Sequence, residues 1–344
     1  MAKRRGAVIG CGFFSANHLN GWAELKADCE IVAVCDIDPA KAKATAERFG
    51  IPAHYTDVET MLAQARPDFV DIVTTAPSHR PLVELCARHG VGIIVQKPLA
   101  LDWADACGLV AAAERAGVPL MVHENFRFQK PVLRARAIIA AGEIGKPVWA
   151  RFSWRTNIDI YKGQPYLAEV KRFILMDIGV HVLDVARSIM GEAESVFCRT
   201  QSIRQGIAGE DMATVLMHHA GGATSVNDFT YESRQSPDPF PKVLLEVEGT
   251  QGALRLDIDD RITVNGLQGT RSESASPPPL SWSYAPWLAV QDSVVAIQRE
   301  WLASLAEGRP AETSGRDNLK TFALVEACYQ SAETGAQAVP ASGP

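Results

Sequence analysis

The sequence lacks the features that mark secreted, metal-binding and nucleic-acid-binding proteins. Its seven cysteines are dispersed and none forms a Cys-x-x-Cys pair, which argues against a zinc site or a disulfide framework. It has no Asn-x-Ser/Thr acceptor for glycosylation and no apolar run as long as a membrane-spanning helix. Its 34 basic residues are outnumbered by 40 acidic ones and form no stripe, so we expect no nucleic-acid partner and no membrane partner.

What is present is the composition of an ordinary globular protein. The 344 residues are 47% hydrophobic and 22% charged, which is enough to bury a full core and predicts more than one domain. The basic residues at 3–5 precede an apolar stretch, but Gly6, Gly10 and Gly12 interrupt that stretch, so we expect no signal peptide. Together with the dispersed thiols, this predicts a cytoplasmic protein.

The first third of the chain alternates short apolar runs with amphipathic stretches, which is typical of strands alternating with helices. Strands are predicted at 7–10, 30–36, 69–76, 91–97 and 119–125. Helices are predicted at 38–49, 56–66, 79–89 and 102–116, the second of them opened by a capping box of Thr56 and Glu59. The pattern indicates a parallel sheet with helices on both faces.

After about residue 125 the pattern changes. Short strand-like runs between 193 and 265 follow one another with hairpin-length links, which indicates a largely antiparallel sheet. Helices are predicted at 129–141, 172–191, 287–307 and 314–334, and a strand at 147–155. We therefore expect a first domain at 1–124, a second at 125–335 and a flexible tail at 336–344.

The stretch "AVIGCGFFSANH" (7–18) joins a predicted strand to a predicted helix through Gly10 and Gly12. Such a turn lets a pyrophosphate approach the helix N-terminus, although Ser15 stands where the usual third glycine would be. Asp36 ends the second strand, where a carboxylate binds the adenosine ribose and repels a 2′-phosphate. The pattern predicts NAD rather than NADP as cofactor; the alternative is a glycine turn without a ligand.

Lys97 and the pair Asp177 and His181 are the candidates for chemistry. Lys97 follows a predicted strand and precedes Pro98, so it stands at the sheet edge where ligands of such folds bind. Asp177 and His181 are four positions apart, so they share one face of a helix whose other face is apolar. They could be a helix cap and its neighbour, or an acid–base pair that removes a hydroxyl proton during alcohol oxidation.

Five segments resemble the motifs of one known family. They are the G-x-G-x-x-x-x-x-H loop at 10–18, "TTAPSH" (74–79), "QKPLA" (96–100), "HENFRF" (123–128) and "DIGVH" (177–181). Together they resemble the glucose–fructose oxidoreductase/inositol dehydrogenase/MocA (Gfo/Idh/MocA) family over nearly the whole chain, and within it the D-apiose dehydrogenase-like subgroup. The chain departs from the family's E-K-P tripeptide by having Gln96 in place of the glutamate.

The resemblance implies an α/β fold, with an N-terminal Rossmann domain of doubly wound parallel sheet and a C-terminal α+β domain with a large open, mostly antiparallel sheet. It implies NAD-dependent hydride transfer from a hydroxyl of a small-molecule sugar or cyclic polyol. It also implies a cis Lys97–Pro98 peptide and a homodimer or homotetramer assembled through the C-terminal sheet. We expect no metal, since His218 and His219 would alternate on a strand and only one could point inward.

The resemblance further assigns roles to residues. Lys97, Asp177 and His181 are the implied catalytic residues, with His181 as the general base. The implied cofactor-binding residues are Gly10, Gly12, Phe13, Phe14, Asp36, Thr75, Pro77, His79, Gln96, Lys97 and Asn125. The implied substrate-binding residues are Lys97, Asn125, Arg127, Arg155, Asp177 and His181.

Two other functions remain open at this point. A hydrolase or epimerase could use tightly held NAD for a transient oxidation, and it would turn over without net formation of NADH. A non-catalytic NAD-sensing protein would bind NAD and would tolerate the loss of Lys97 or His181.

Overall fold

A computed structural model describes residues 3–343; residues 1, 2 and 344, at the ends of the predicted first domain and tail, lie outside it. The contacts divide the chain into two compact units, each discontinuous in sequence. One contains the chain through Asn125 together with Ser293–Leu319, and the other contains Phe126–Asp292 together with Lys320–Ser342. The expected continuous second domain at 125–335 is therefore wrong, because residues 293–319 pack with the first unit.

The first unit is built on a parallel sheet. Its strands are β1 Arg4–Ile9, β2 Cys29–Cys35, β3 Ala53–Tyr55, β4 Phe69–Ile72, β5 Gly92–Gln96 and β6 Leu120–His123. Its helices are α1 Ser15–Glu24, α2 Pro39–Phe49, α3 Val58–Ala65, α4 His79–Arg88 and α5 Trp103–Ala116. The strand order β3-β2-β1-β4-β5-β6 is that of a doubly wound fold, which confirms the predicted Rossmann sheet. The sequence did not predict β3, whose three residues at the sheet edge carry no buried apolar run.

The second unit is built on an eight-stranded sheet. Its strands are β7 Pro147–Arg155, β8 Ala193–Gln201, β9 Met212–His219, β10 Thr224–Thr230, β11 Leu244–Gly249, β12 Gly252–Leu256, β13 Arg261–Gly266 and β14 Gly269–Ser274. Its helices are α6 Lys130–Ala140, α7 Ile160–Gly163 and α8 Val180–Met190, while α9 Leu288–Glu307 and α10 Gly315–Thr334 each continue from one unit into the other. Every strand pair is antiparallel except β7 with β10, which confirms the mostly antiparallel sheet within residues 3–343.

The part of α9 within the first unit packs against the parallel sheet. Trp301 is buried, with its ring edge-on to Phe69 at 6.0 Å between centroids. The ring also fills the space beside Gly92, where a Cβ would lie 3.1 Å from it. A buried tryptophan contributes on the order of 3 kcal/mol, so Trp301 helps to hold this part of α9 on the first unit.

Two local predictions are corrected by the structure. The cap of α3 is Asp57, which accepts a hydrogen bond from the Thr60 backbone at 2.8 Å, because a carboxylate is a stronger acceptor than the predicted Thr56 hydroxyl. In the tail expected to be flexible, Ala338 is buried and forms two backbone hydrogen bonds with Val196, at 2.8 and 2.9 Å. Along residues 3–343, no helix has both the length and the hydropathy to cross a membrane.

Candidate functional site

The glycine loop joins β1 to α1 at the carboxyl edge of the parallel sheet. Gly10 has a φ of +100°, and a Cβ there would lie 2.6 Å from the Val73 carbonyl oxygen, so the position requires glycine. Gly12 faces open space, since a Cβ built on it meets no described atom within 4 Å. Ser15, which replaces the usual third glycine, donates its hydroxyl to the Gly12 carbonyl at 2.7 Å and thereby fits the turn.

The Asp36 carboxylate fastens this loop to the end of β2. One oxygen accepts the backbone N–H of Cys11 at 2.7 Å, and the other accepts that of Asp38 at 2.9 Å. Each carboxylate oxygen has a second lone pair, so Asp36 can also accept hydrogen bonds from ribose hydroxyls. The loop and the acid predicted to select NAD therefore lie together.

The surroundings of the loop fit a dinucleotide. Phe13 is 81% exposed and Ile37 is 93% exposed, although side chains of this kind are usually covered. Phe14 turns inward, edge-on to His18 at 5.5 Å. In the described part of the chain, no side chain caps α1 and its first turn holds no acidic residue. A helix N-terminus of this kind attracts a pyrophosphate, and the exposed apolar side chains offer cover for an adenine ring.

Replacing Asp36 by alanine is expected to weaken NADH binding about 10-fold or more and to remove most of the discrimination against NADPH, because the ribose contact and the repulsion of the 2′-phosphate are lost together. Fluorescence titration with both cofactors measures the two Kd values. Asp38→Ala is the matched control, since it removes the cap of α2 at a cost of about 1 kcal/mol but should keep the ratio of Kd values. An unchanged ratio in the Asp36 variant would overturn the assignment.

Lys97 stands directly after β5, at the carboxyl edge of the sheet. The Lys97–Pro98 peptide is cis, as the family resemblance implies. The Lys97 backbone N–H donates to the side-chain oxygen of Gln96 at 2.7 Å, and the side-chain nitrogen of Gln96 lies 3.0 Å from His18 Nε2. Gln96 was predicted to bind the cofactor, but the structure engages both ends of its amide within the protein.

The loop after β4 contains three predicted cofactor-binding residues with different environments. Thr75 and Pro77 are exposed, so they remain available to a ligand. His79 is fully buried, with its two ring nitrogens each 3.2 Å from a backbone carbonyl, one of Leu99 and one of Thr74. Burial lowers the pKa of His79. The structure thus corrects the prediction for His79, which ties the loop to the segment after Pro98 instead of facing a ligand.

Asn125 is the last residue of the first segment of the first unit. Its side-chain nitrogen donates to the hydroxyl of Ser293 at 2.6 Å, and Asn125 is buried. With its nitrogen on this hydroxyl, the amide turns its carbonyl oxygen away from Ser293. The predicted contacts of Asn125 with cofactor and substrate remain predictions.

The segment carrying Asp177 and His181 is helical, but it is not the regular α-helix predicted over 172–191. Leu175–Gly179 forms a π-helical turn, and α8 follows it directly. Wide turns of this type are rare and concentrate at functional sites. The irregularity falls on the "DIGVH" motif itself, which favours chemistry over a simple helix cap.

Glu210, from the loop before β9, caps the start of this segment. Its carboxylate accepts the backbone N–H groups of Phe173 at 3.1 Å and Leu175 at 3.3 Å, and the hydroxyl of Tyr329 donates to the same oxygen at 2.7 Å. Burial, followed by the adjacent Glu210 charge, raises the pKa of Tyr329, so its hydroxyl stays a donor. The position of the motif is therefore set by a residue distant in sequence.

Two aromatic residues orient the acid and the imidazole. The Tyr231 hydroxyl donates to an Asp177 carboxylate oxygen at 2.7 Å, and its ring stacks on Phe173 at 5.5 Å. Burial and the Asp177 charge raise the pKa of Tyr231, so the hydroxyl keeps its proton. Phe126 stacks on the His181 ring, with centroids 3.9 Å apart and planes 9° apart. Neither role was predicted from the sequence, because neither residue lies within a helical turn of the group it orients.

Arg127 was predicted to bind substrate, and the structure assigns it a different role. Arg127 is buried and forms two hydrogen bonds with the Asp184 carboxylate on α8. Thr321 donates to the same carboxylate at 2.7 Å. Burial by itself raises the pKa of Asp184, but Arg127, Arg187 and Thr321 outweigh it and hold that pKa below its ordinary value. Arg127 neutralises a buried carboxylate, which is a structural function.

Arg155 was also predicted to bind substrate, and the structure places it on the other side of the sheet from Asp177. Arg155 pairs with Asp228 at 3.2 Å, beside Arg151, whose side chain contacts the same carboxylate. Trp154, the neighbour of Arg155 in β7, points to the opposite face and packs edge-on against Tyr231 at 5.0 Å. Because side chains alternate along a strand, Arg155 faces away from the Tyr231 and Asp177 pair.

Comparison with known proteins identifies the chain. Residues 4–124 match the model of the oxidoreductase family with an NAD-binding Rossmann fold, and residues 132–255 match the GFO/IDH/MocA C-terminal domain. The chain belongs to the Gfo/Idh/MocA family. This confirms the family, the fold class and NAD as the cofactor predicted from the motifs.

Members of this family resemble the chain over nearly its full length. The D-apiose dehydrogenase of Paraburkholderia graminis is 52% identical over 96% of this chain and 88% of its own length. The D-apiose dehydrogenase of Rhizobium rhizogenes is 47% identical over 97% of both chains. A crystal structure of an oxidoreductase from Agrobacterium radiobacter with NAD+, L-tartaric acid and magnesium has a TM-score of 0.96 and 46% identity, covering 98% of both chains. In residues 3–343, no cluster of three or more His, Cys, Asp or Glu side chains is arranged to hold a metal ion.

Proposed function

We propose that this Gfo/Idh/MocA family member is an NAD-dependent dehydrogenase of D-apiose. The observation that carries the proposal is the similarity to two proteins named D-apiose dehydrogenase, at 52% and 47% identity over 96% and 97% of this chain. Dehydrogenases of inositol are more distant, at 26% identity for the myo-inositol 2-dehydrogenase of Thermotoga maritima. An NAD-dependent sugar dehydrogenase is the function that the motifs predict, and the similarity favours an aldose over a cyclic polyol.

We propose that Lys97, Asp177 and His181 are the catalytic residues of the sugar oxidation. When bound, NAD+ supplies the acceptor for the hydride that leaves the sugar carbon. His181, held flat by Phe126, takes the hydroxyl proton, because an imidazole exchanges protons near neutral pH. Asp177, held by Tyr231, accepts a hydrogen bond from a sugar hydroxyl and stabilises the charged imidazole. Lys97 donates a hydrogen bond to the reacting oxygen, so that the two groups share a proton of the lysine.

The cofactor-binding residues follow from the first unit. We propose that Gly12 and the N-terminus of α1 bind the pyrophosphate, that Asp36 binds the ribose, and that Phe13 and Ile37 cover the adenine. Thr75, Pro77 and Asn125 complete the proposed set.

A steady-state assay tests the function directly. Purified protein is given NAD+ and D-apiose, other aldoses or myo-inositol, and NADH is followed by absorbance. We expect kcat/KM for D-apiose to exceed that for myo-inositol by about 100-fold, the discrimination that about 3 kcal/mol of differential binding provides. NAD binding without NADH formation from any sugar would refute the proposal. Turnover with copurified NAD but no net NADH would instead support a hydrolase or epimerase.

We also propose that the chain assembles through the outer face of its eight-stranded sheet. Leu216 on β9 is 47% exposed and lies between two partly exposed apolar residues of the neighbouring strands, Val226 on β10 and Phe197 on β8. An apolar patch of this kind on an open sheet suits a second copy of the same face. A cytoplasmic location is proposed on the basis of the cysteines, all seven of which are free.

Leu216→Glu is expected to weaken this assembly about 100-fold or more, because a charge without a partner would be buried in the interface. Size-exclusion chromatography with light scattering gives the mass, and far-UV circular dichroism confirms the fold. Leu267→Glu is the control, since Leu267 is 81% exposed in the turn between β13 and β14. A wild-type monomer, or an assembly that tolerates both changes equally, would contradict the proposed interface.

A further inference from the structure

A buried carboxylate lies in the middle of the parallel sheet. Asp71 is fully buried in β4, between Val8 of β1 and Ile94 of β5. One of its oxygens accepts hydrogen bonds from His18 Nδ1 and Trp22 Nε1, both at 2.8 Å. A carboxylate without solvent is costly unless it is hydrogen-bonded, so its presence in a central strand calls for a function. None of the cofactor or substrate roles proposed above uses it.

The hydrogen bonds continue from Asp71 to the proposed catalytic lysine. His18 is also fully buried, and its Nε2 lies 3.0 Å from the side-chain nitrogen of Gln96. The side-chain oxygen of Gln96 accepts the backbone N–H of Lys97 at 2.7 Å. Asp71, His18 and Gln96 therefore form one hydrogen-bond chain that ends at the backbone of Lys97.

The Lys97 end of this hydrogen-bond chain determines which of its groups donate and which accept. The backbone N–H of Lys97 is always a donor, so the Gln96 oxygen must face it and the Gln96 nitrogen must face His18. Because that nitrogen donates, His18 Nε2 must be an acceptor without a proton. The single imidazole proton of His18 then lies on Nδ1 and is donated to Asp71. The geometry selects one neutral tautomer of His18.

A second proton on His18 would break the chain. A proton on Nε2 would require the Gln96 amide to flip and present its oxygen to His18. The amide nitrogen would then face the Lys97 N–H, so that two donors oppose each other and Lys97 is displaced. The position of Lys97 is thus coupled to the tautomer of a histidine buried behind it.

The other groups around His18 keep it in place. The ring of His123 on β6 lies 4.0 Å away and tilted by 32°, and Phe14 packs edge-on against the ring. On the backbone side, Gln298 of α9 donates to the His18 carbonyl oxygen at 3.0 Å. Within residues 3–343, the groups that contact the ring include the charged Asp71 and one further titratable group, His123.

We propose that Asp71, His18 and Gln96 are positioning residues that hold Lys97 for proton sharing through the neutral Nδ1–H form of His18. The proposal rests on the proposed function, because Lys97 is the catalytic lysine of that function. It gives a reason for the departure from the E-K-P tripeptide: a glutamine both donates and accepts, so it serves a neutral histidine, whereas a carboxylate would require a histidine protonated on both nitrogens.

Kinetics of two matched variants test the positioning role. Gln96→Met and Gln298→Met each replace a buried glutamine by a side chain of similar size, and each removes a hydrogen bond to the His18 region. Only Gln96→Met breaks the hydrogen-bond chain to Lys97. We expect Gln96→Met to lower kcat about 30-fold with a KM for NAD+ within about threefold, because small misplacement of a catalytic group costs up to about 100-fold in rate. Gln298→Met should retain kcat within about threefold.

Nitrogen NMR of histidine-labelled full-length protein tests the tautomer without requiring activity. The His18 signals, assigned by their loss in His18→Asn, should show a neutral ring protonated on Nδ1. In Gln96→Glu, the introduced carboxylate accepts from both neighbours, so His18 should become an imidazolium while kcat stays within about fivefold, since Lys97 keeps its acceptor. This variant also serves if Gln96→Met does not fold.

The outcomes separate this proposal from the proposed function. Equal kcat losses in Gln96→Met and Gln298→Met, or an imidazolium or Nε2–H form of His18 in the wild type, would overturn the positioning role. A wild-type protein that oxidises no sugar would refute the proposed function instead, and the NMR result would still decide whether the hydrogen-bond chain exists.

Discussion

Replacing Lys97 by methionine is expected to lower kcat for sugar oxidation about 1000-fold, because the reacting oxygen loses the group that shares its proton. The Kd for NAD+ should change by no more than about threefold, since methionine keeps the length of the side chain and the pyrophosphate and ribose contacts lie elsewhere. Steady-state kinetics and a separate titration with NAD+ measure the two quantities.

Lys43→Met is the control for the loss of a lysine charge. Lys43 is exposed on α2 and pairs loosely with Glu47 at 3.8 Å, so kcat and Kd should both match the wild type. Similar losses of turnover and of NAD+ affinity in the Lys97 variant would show that Lys97 is structural. A variant that retains turnover would favour the NAD-sensing hypothesis.

Replacing Arg127 by methionine is expected to lower the free energy of unfolding by about 3 kcal/mol at neutral pH, because the buried Asp184 loses its strongest partner. Chemical denaturation followed by circular dichroism measures the change. Arg134→Met is the control, since the pair of Arg134 with Glu273 is largely exposed and should cost less than about 1 kcal/mol. Equal costs for the two variants would contradict the structural role of Arg127.

The pH dependence of this loss has a definite sign. In the wild type, the pKa of Asp184 is held below its ordinary value, so the pair stabilises the fold at neutral pH and that stabilisation is lost only as the pH falls through the acidic range. Without Arg127, we expect burial to outweigh Arg187 and Thr321 and to raise the Asp184 pKa, so that the folded state takes up a proton more readily than the unfolded state. The deficit of Arg127→Met should therefore shrink between about pH 7 and pH 5.

A second substitution separates loss of the pair from loss of packing. Asp184→Asn in the Arg127→Met background removes the uncompensated charge and keeps an acceptor for Thr321. Most of the lost stability should return, because removal of both partners of a buried pair is far less costly than removal of one. No recovery would show that the arginine side chain acts through packing alone.

Much of the first unit could be predicted because its signals are local. Asp38 caps α2 and Gly50 ends it with a φ of +65°, as the sequence predicts. Gly10, Gly12 and Asp36 were identified from spacing alone, since the strand–turn–helix geometry fixes their relation over a short segment. The loop keeps its turn although Ser15 replaces the third glycine, because the Ser15 hydroxyl donates a hydrogen bond to the Gly12 carbonyl.

The residues that position the site could not be predicted from local signals. Glu210 and Tyr231 reach the "DIGVH" segment from other elements, and the partner of Arg127 lies 57 residues away in sequence. The misassignment of Arg155 was avoidable, because Trp154 is the apolar neighbour and alternation along β7 sends Arg155 outward. Contacts between distant segments depend on the topology of the fold, and the spacing of residues along the sequence carries no information about that topology.

Phe13, within the glycine loop, and Ile37, just after β2, are both exposed to water. If bound NAD+ covers these two side chains, apolar surface is removed from solvent. NAD+ binding should therefore show a negative heat-capacity change in calorimetry. The same burial links the folded population to the coenzyme pool: at about 100 times Kd, binding adds about 2.7 kcal/mol to stability. Starvation for nicotinamide would thus shorten the lifetime of this enzyme as well as slow its turnover.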